Sequence, residues 1–178
     1  RNLKRSRMVR SEDWLHEHGA CADNVRIGVS TLDQAGHGAF ATRFLVKGSA
    51  VMPMPLIHIP DRKALDMYDV IKGKEDTSNA VGKQLVGKQL QLNYCMGHNK
   101  STMLLSPYGP GFSLVNHNQT LANVRLQWAS PKRSNHHPEM LEKDVSHFET
   151  EKSAKLAMEL VALRDIQPDE EILLDYGD

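Results

Sequence analysis

A tyrosine beside a glycine, an asparagine-histidine pair, and two glycines flanking a histidine are the residues of this chain best suited to handling a ligand. Tyr176 closes the segment LRDIQPDEEILLDYGD (Leu163 to Asp178), where a turn on Pro168 and Asp169 separates two short apolar runs, so a strand hands its phenol to a pocket. Asn116-His117 follows the run Phe112 to Val115, and Gly36-His37-Gly38 precedes Phe40 and Ala41. Glycines let backbone N–H and C=O groups come close to a ligand without side-chain obstruction. A phenol, with an ordinary pKa near ~10, orients and polarises at neutral pH and does not serve as a strong base. Each feature taken alone has a plainer reading: a turn, a capping pair, a half-buried tyrosine whose hydroxyl finds one partner.

Strands must position these groups. Val25 to Val29, Ala39 to Phe44 and Ala50 to Ile59 read as strands between Gly and Pro turns, with Pro53 and Pro55 demoting the last to an edge or irregular strand. The stretch from Arg62 to Ile71 reads as helical, and Glu149 to Leu160 has helical composition. Residues 1–24, with Trp14 and Leu15, would form a short amphipathic helix. Val81 to Leu85 repeats as Val86 to Leu90, a duplication too short to be a structural repeat. The polar stretch 129–158 is a surface excursion, and Asp169, Glu170 and Glu171 read as a solvated acidic turn.

Composition narrows the classes. A chain of 178 residues with 40% apolar content makes one domain with a real core. Twenty-two basic residues balance 22 acidic ones, which gives no global reason to bind nucleic acid or an anionic membrane, although Arg1 to Arg10 is a basic flank. No apolar run approaches the ~18 residues of a spanning helix. Two cysteines, Cys21 and Cys95, are too few for a disulfide framework or a zinc cluster, so reduced thiols in a nuclear or cytoplasmic protein are expected. His136, His137 and His147 match no tetrahedral zinc spacing and read as solvated loop histidines, so no metal is expected. A first residue of arginine suggests a piece of a longer protein, with targeting signals outside it.

Three pieces in fixed order carry a family resemblance. GHGAFATRFLVKGSAV (Gly36 to Val51), PYGPGFSLVNHNQTLANVRLQW (Pro107 to Trp128) and LRDIQPDEEILLDYGD resemble the motifs of the SET domain of protein lysine methyltransferases. The resemblance implies a mostly β fold with short helices, made of small twisted sheets with a knot-like C-terminal motif. It implies an N-terminal flank at 1–24 and a SET domain at 25–178 with insertions at about 61–106 and 129–158. It also implies S-adenosylmethionine as cofactor, bound by Gly36, His37, Gly38, Asn116, His117 and Tyr176, and a protein lysine, histone or non-histone, as methyl acceptor. Tyr176 inherits the catalytic place. Tyr108 and Leu174 are the expected substrate-channel residues, with Tyr108 preferred over Tyr94.

Departures from the family pattern are informative. Asn118-Gln119-Thr120-Leu121-Ala122-Asn123 keeps only the final asparagine of the usual continuation and lacks its cysteine, a zinc ligand in members with a cysteine-rich tail. Leu174 stands where an aromatic residue often limits how many methyls fit, and Ser113 replaces an arginine on the cofactor side. The competing expectation is a catalytically weak SET-like module that recognises a protein partner through its insertions.

Overall fold

The computed structural model describes Asp13, residues 23–71, 82–97, 101–109, 111–132, 134, 136–151 and 155–177. The expected N-terminal helix around Trp14 lies outside these residues. The chain is mostly β, as expected, and its strands form three sheets. In chain order they are β1 (Val25–Val29), β2 (His37–Ala41), β3 (Ala50–Ile59), β4 (Asp66–Ile71), β5 (Gly82–Lys88) and β6 (Met96–Gly97). There follow β7 (Leu104–Pro107), β8 (Asn116–His117), β9 (Val124–Trp128), β10 (Ala157–Ala162) and β11 (Leu173–Leu174). β1 pairs with β2, β4 with β5, and the remaining seven form one sheet in the order β6-β7-β3-β10-β9-β11-β8.

The core lies against the centre of the large sheet. Every residue of β10 is buried, and it is flanked on both sides by antiparallel partners, β3 and β9. Met54, Leu56, Leu160, Ile166 and Ile172 are wholly shielded from solvent. Burial of this kind stabilises by about 1.5–3 kcal/mol per large apolar side chain. That continuous burial explains why the helical reading of 149–160 fails. Ala, Met, Glu and Leu favour helix intrinsically, but a short run buried on both faces between two strands becomes strand. The helix sits earlier, at Val145–Thr150, and the polar excursion ends before Leu156.

Two other sequence readings are corrected. Only Arg62–Leu65 is helical, as a 3-10 turn started by Asp61, whose carboxylate accepts from the Lys63 N–H at 3.0 Å. The next residues, Asp66-Met67-Tyr68-Asp69-Val70-Ile71, pair as β4 with β5, which itself crosses the junction between the two copies of the duplicated pentapeptide. A cross-strand partner outweighs the weak helical preference of the turn before it.

Of the two readings of β3, edge or irregular, the second holds: the strand is interior, and its pairing with β10 shifts register opposite Leu160 and Val161. Its pairing is divided: residues 50–55 pair with β10, and Leu56 to Ile59 pair with β7. The Leu56 N–H points toward the β10 side, donating to Leu156 O, whereas Pro55 O accepts from the Tyr108 N–H on the opposite side. Alternation then turns the absent N–H of both Pro53 and Pro55 away from β10, so no ladder bond to β10 is lost. Among the described residues no helix is long and apolar enough to cross a membrane.

Candidate active site

Three turns deliver the site. The loop 30–36 closes with the Ser30 N–H on Gly36 O at 2.9 Å, and Gly36 adopts φ +71°, a left-handed conformation that glycine takes without strain. Gly111, at φ 79°, begins the 3-10 turn Phe112–Leu114, which leads through Val115 into β8. Asp169 takes φ 63° in the Pro168-Asp169 turn, a conformation that Asp tolerates better than most residues. From that turn the chain is stitched to β2. The Asp169 N–H donates to Ala41 O at 2.8 Å, and the Ile172 N–H to Ala39 O at 2.7 Å. Leu173 and Leu174 then slot in parallel between β8 and β9, the local geometry of the expected knot-like closure.

The centre of this stitching is a carboxylate. Glu171, only 5% exposed, accepts hydrogen bonds from Ser30 Oγ (2.7 Å), the Thr31 N–H (2.7 Å), Thr31 Oγ1 and Asn116 Nδ2 (3.0 Å). The same Asn116 nitrogen lies 3.1 Å from His37 O and 3.1 Å from Ser30 Oγ. Burial pushes the Glu171 carboxyl up, but the bonds from Thr31, Ser30 and Asn116 together outweigh it and hold the group below the usual range. Glu170 is likewise pushed up by burial and held low on balance by Arg164, the Gln167 N–H and Asn123. The acidic cluster is therefore not a solvated turn; only Asp169 fits that description, and it pairs with Arg26 at 2.7 Å.

A sign follows for acid stability. Carboxylates whose folded pKa is depressed contribute stability that is complete above the unfolded value of about 4.3 and is lost as pH falls through the lower folded value. Urea unfolding between pH 7 and pH 3 should show stability falling in that acid window, and Glu171→Gln should flatten the fall. An unchanged slope in the variant would mean that Glu171 is not linked to folding.

Asn123 locks the closing segment from the other side. It is 1% exposed, donates from Nδ2 to Glu171 O at 2.7 Å and to Glu170 Oε1 at 3.0 Å, and accepts from the Leu173 N–H at 2.9 Å. His117 does the same for the tyrosine. Its Nδ1 accepts from the Tyr176 N–H at 3.0 Å, which leaves the ring proton on Nε2, and the two rings lie 5.2 Å apart. Tyr176 Oη donates to Val115 O at 2.6 Å. Burial, then the nearby Tyr94, pushes the phenol above its usual pKa, so it stays protonated at physiological pH. Asp175 accepts from the Gly177 N–H at 3.0 Å and stabilises the turn.

Gly36, Gly38, Asn116, His117, Leu174 and Tyr176 are thus brought together, but in different ways. A Cβ at Gly38 would meet Glu171 Oε1 at 2.2 Å, whereas one at Gly36 would meet nothing within 4 Å. The closeness at Gly38 therefore serves Glu171, and the open backbone is at Gly36. His37 contributes its carbonyl, its side chain being exposed. Leu174 and Tyr176 line a cleft of about 350 Å³ with Tyr94, Phe112, Val115 and Leu126. Tyr108 is not in that cleft; it is 69% exposed and lines a neighbouring cavity. Tyr94, carried by the 3-10 turn Leu90–Tyr94, does line the Tyr176 cleft.

The SET domain profile matches residues 36–177. The chain belongs to the SET-domain family. No curated protein sequence matches it significantly. Among solved structures, this SET domain is similar to a Plasmodium falciparum protein assigned as a histone methyltransferase, at 20% identity and TM-score 0.50, over 87% of this chain and 94% of that one. It is also similar to the autoinhibited polycomb repressive complex 2 of Chaetomium thermophilum bound to S-adenosylmethionine, at 19% identity and TM-score 0.52. That match covers 90% of this chain but 16% of the other, so the SET domain here spans about a sixth of that chain. The fold is that of the SET methyltransferases.

The histidines outside the site are not all loop residues. His136 is 5% exposed, stacks on Trp128 at 5.6 Å and accepts the Ala157 N–H at 3.2 Å on Nδ1. Burial, then neighbouring His137, pushes it below the usual imidazole range despite Glu139 and Glu159. Its solvated reading is corrected: it fills a backbone role beside β10.

Proposed function

We propose that this SET domain transfers a methyl group from S-adenosylmethionine to the side-chain amine of a protein lysine, histone or non-histone. The observation that carries the reading is the convergence of Asn116 with Gly36–Gly38 through Glu171, next to a Tyr176 cleft walled by apolar and aromatic groups. The residues present fit the cofactor. Gly36 has open space, and Asn116 Oδ1 has no hydrogen-bond partner among the described residues, so an ammonium group finds an acceptor beside exposed backbone. The cofactor's amino-acid end would be held by Gly36, His37, Gly38, Asn116 and His117.

When bound, S-adenosylmethionine supplies an electrophilic methyl on a sulfonium. The protein's part is to hold the accepting amine neutral and in line. Orientation of this kind can recover roughly 7–11 kcal/mol of barrier. Asp175, which also lines the cleft, attracts the incoming ammonium, while the apolar wall of Phe112, Val115, Leu126 and Leu174 opposes the charged form by desolvation and favours loss of its proton to solvent. Because the Tyr176 O–H donates to Val115 O, the phenol offers oxygen lone pairs to the cleft. Those lone pairs suit weak C–H···O contacts to a polarised methyl and orientation of the amine. Leu174, aliphatic where the family often has an aromatic residue, leaves width for an amine already carrying a methyl.

Calorimetric titration of S-adenosylmethionine should give micromolar binding that Asn116→Ala abolishes, with a thermal melt to establish that the variant is folded. No heat with a folded wild-type protein would sink the methyltransferase reading and leave the protein-interaction module in its place.

A further inference from the structure

Beside the Tyr176 cleft lies a second cavity of about 410 Å³, walled by Ile57, Ile59, Tyr94, Tyr108 and Phe112. Two of these residues, Tyr94 and Phe112, line both cavities and so form the partition between them. Among the described residues no charged side chain lines the second cavity, and its buried floor is already satisfied: Gln91 Nε2 donates to Ser106 Oγ at 2.6 Å. Such a surface gives an ionic side chain no counter-charge, while an apolar one gains from leaving water.

We propose that this second cavity is a specificity subsite that accepts a large apolar side chain of the methylated protein, two residues from the target lysine. This deepens the lysine-methyltransferase reading and rests on it. The spacing follows from the partition. Groups packed on opposite faces of one aromatic ring are separated by two van der Waals contacts, about 7 Å. In an extended peptide, side chains on one face recur every second residue, also at about 7 Å. Adjacent residues point to opposite faces, so they cannot occupy both cavities. A lysine in the Tyr176 cleft therefore sets its neighbour at plus or minus two against Ile57, Ile59 and Tyr108.

The test uses peptides with central lysine, or with norleucine in its place, in which the residues at plus and minus two are varied among Leu, Phe, Gly, Asp and Arg. Binding of the norleucine peptides by fluorescence anisotropy needs no turnover, and methyl transfer to the lysine peptides gives kcat/KM. Leu or Phe at one of the two positions should improve both readouts by about tenfold over Gly, and more over Asp or Arg. Tyr108→Asp, a change at an exposed position, should shift the preference there toward Arg, and Ile57→Asp should do the same. Equal binding across all residues at both positions, or an unchanged preference in folded Tyr108→Asp protein, would overturn the subsite. Cofactor titration is read separately. Loss of cofactor binding with retained peptide preference rejects the transferase reading and not the apolar subsite.

Discussion

Tyr176→Phe is expected to bind S-adenosylmethionine with affinity within about twofold of the wild type and to lose about 100-fold or more in kcat, the scale seen when one positioned polar group is removed from an active site. The ring packs on His117 at 5.2 Å, and the backbone N–H still donates to His117 Nδ1, so phenylalanine keeps the turn in place. What disappears is the oxygen held by Val115 O at the mouth of the cleft. The pH profile separates positioning from base catalysis. Because burial pushes the phenol above its usual pKa, its ionisation lies above the physiological range, and the rate should rise with pH as the substrate amine loses its proton. A Phe variant with wild-type kcat would exclude the phenol from the reaction.

Gly38→Ala should be the most damaging single-methyl change, lowering stability by about 2–4 kcal/mol. The clash is with the far end of a side chain, Glu171 Oε1 at 2.2 Å, and at most positions such an atom could step aside. Here it cannot move freely, because Ser30, Thr31 and Asn116 hold the carboxylate from three directions. Displacing it breaks hydrogen bonds to a charged group, each worth about 1.5–3 kcal/mol. A double-mutant cycle with Glu171→Ala checks the cause, since the methyl should cost little once the carboxylate is gone. Coupling of about 2 kcal/mol is expected; additivity within about 0.5 kcal/mol would rule out the clash.

The glycines, the Asn-His pair and the tyrosine were legible in the sequence because their order along the chain is fixed and each interrupts an apolar run. Glu171 was not, although it bonds Asn116 and packs against Gly38. It stands in a row of three acidic residues after a proline turn, and composition there describes a solvated loop. Only its long-range partners, Ser30, Thr31 and Asn116, reveal it as buried. A signal did exist: Glu171 immediately precedes Ile172-Leu173-Leu174, so a strand beginning there places it on the same face as Leu173. The misread elements share one physical cause. Helix propensity is local, whereas β10 and β4 are strands because of residues far away in sequence, β3 and β9 in one case and β5 in the other. The prolines of β3 marked an irregular strand but not an edge, since a strand can be interior while each half has an unpaired side.

The order of the large sheet has a consequence for how the molecule is made. β8 joins the sheet only through β11, the strand furthest along the sequence, which fills the gap between β8 and β9. During vectorial synthesis the ribosome therefore releases His117 long before Tyr176 and β11, which anchor it, exist, and the five strands β6, β7, β3, β10 and β9 cannot template β8 on their own. Closing such long loops is slow relative to local structure. A nascent chain lacking Leu173 and Leu174 would carry most of the large sheet with β8 unattached to it, so the arrangement around His117 is completed only when β11 emerges.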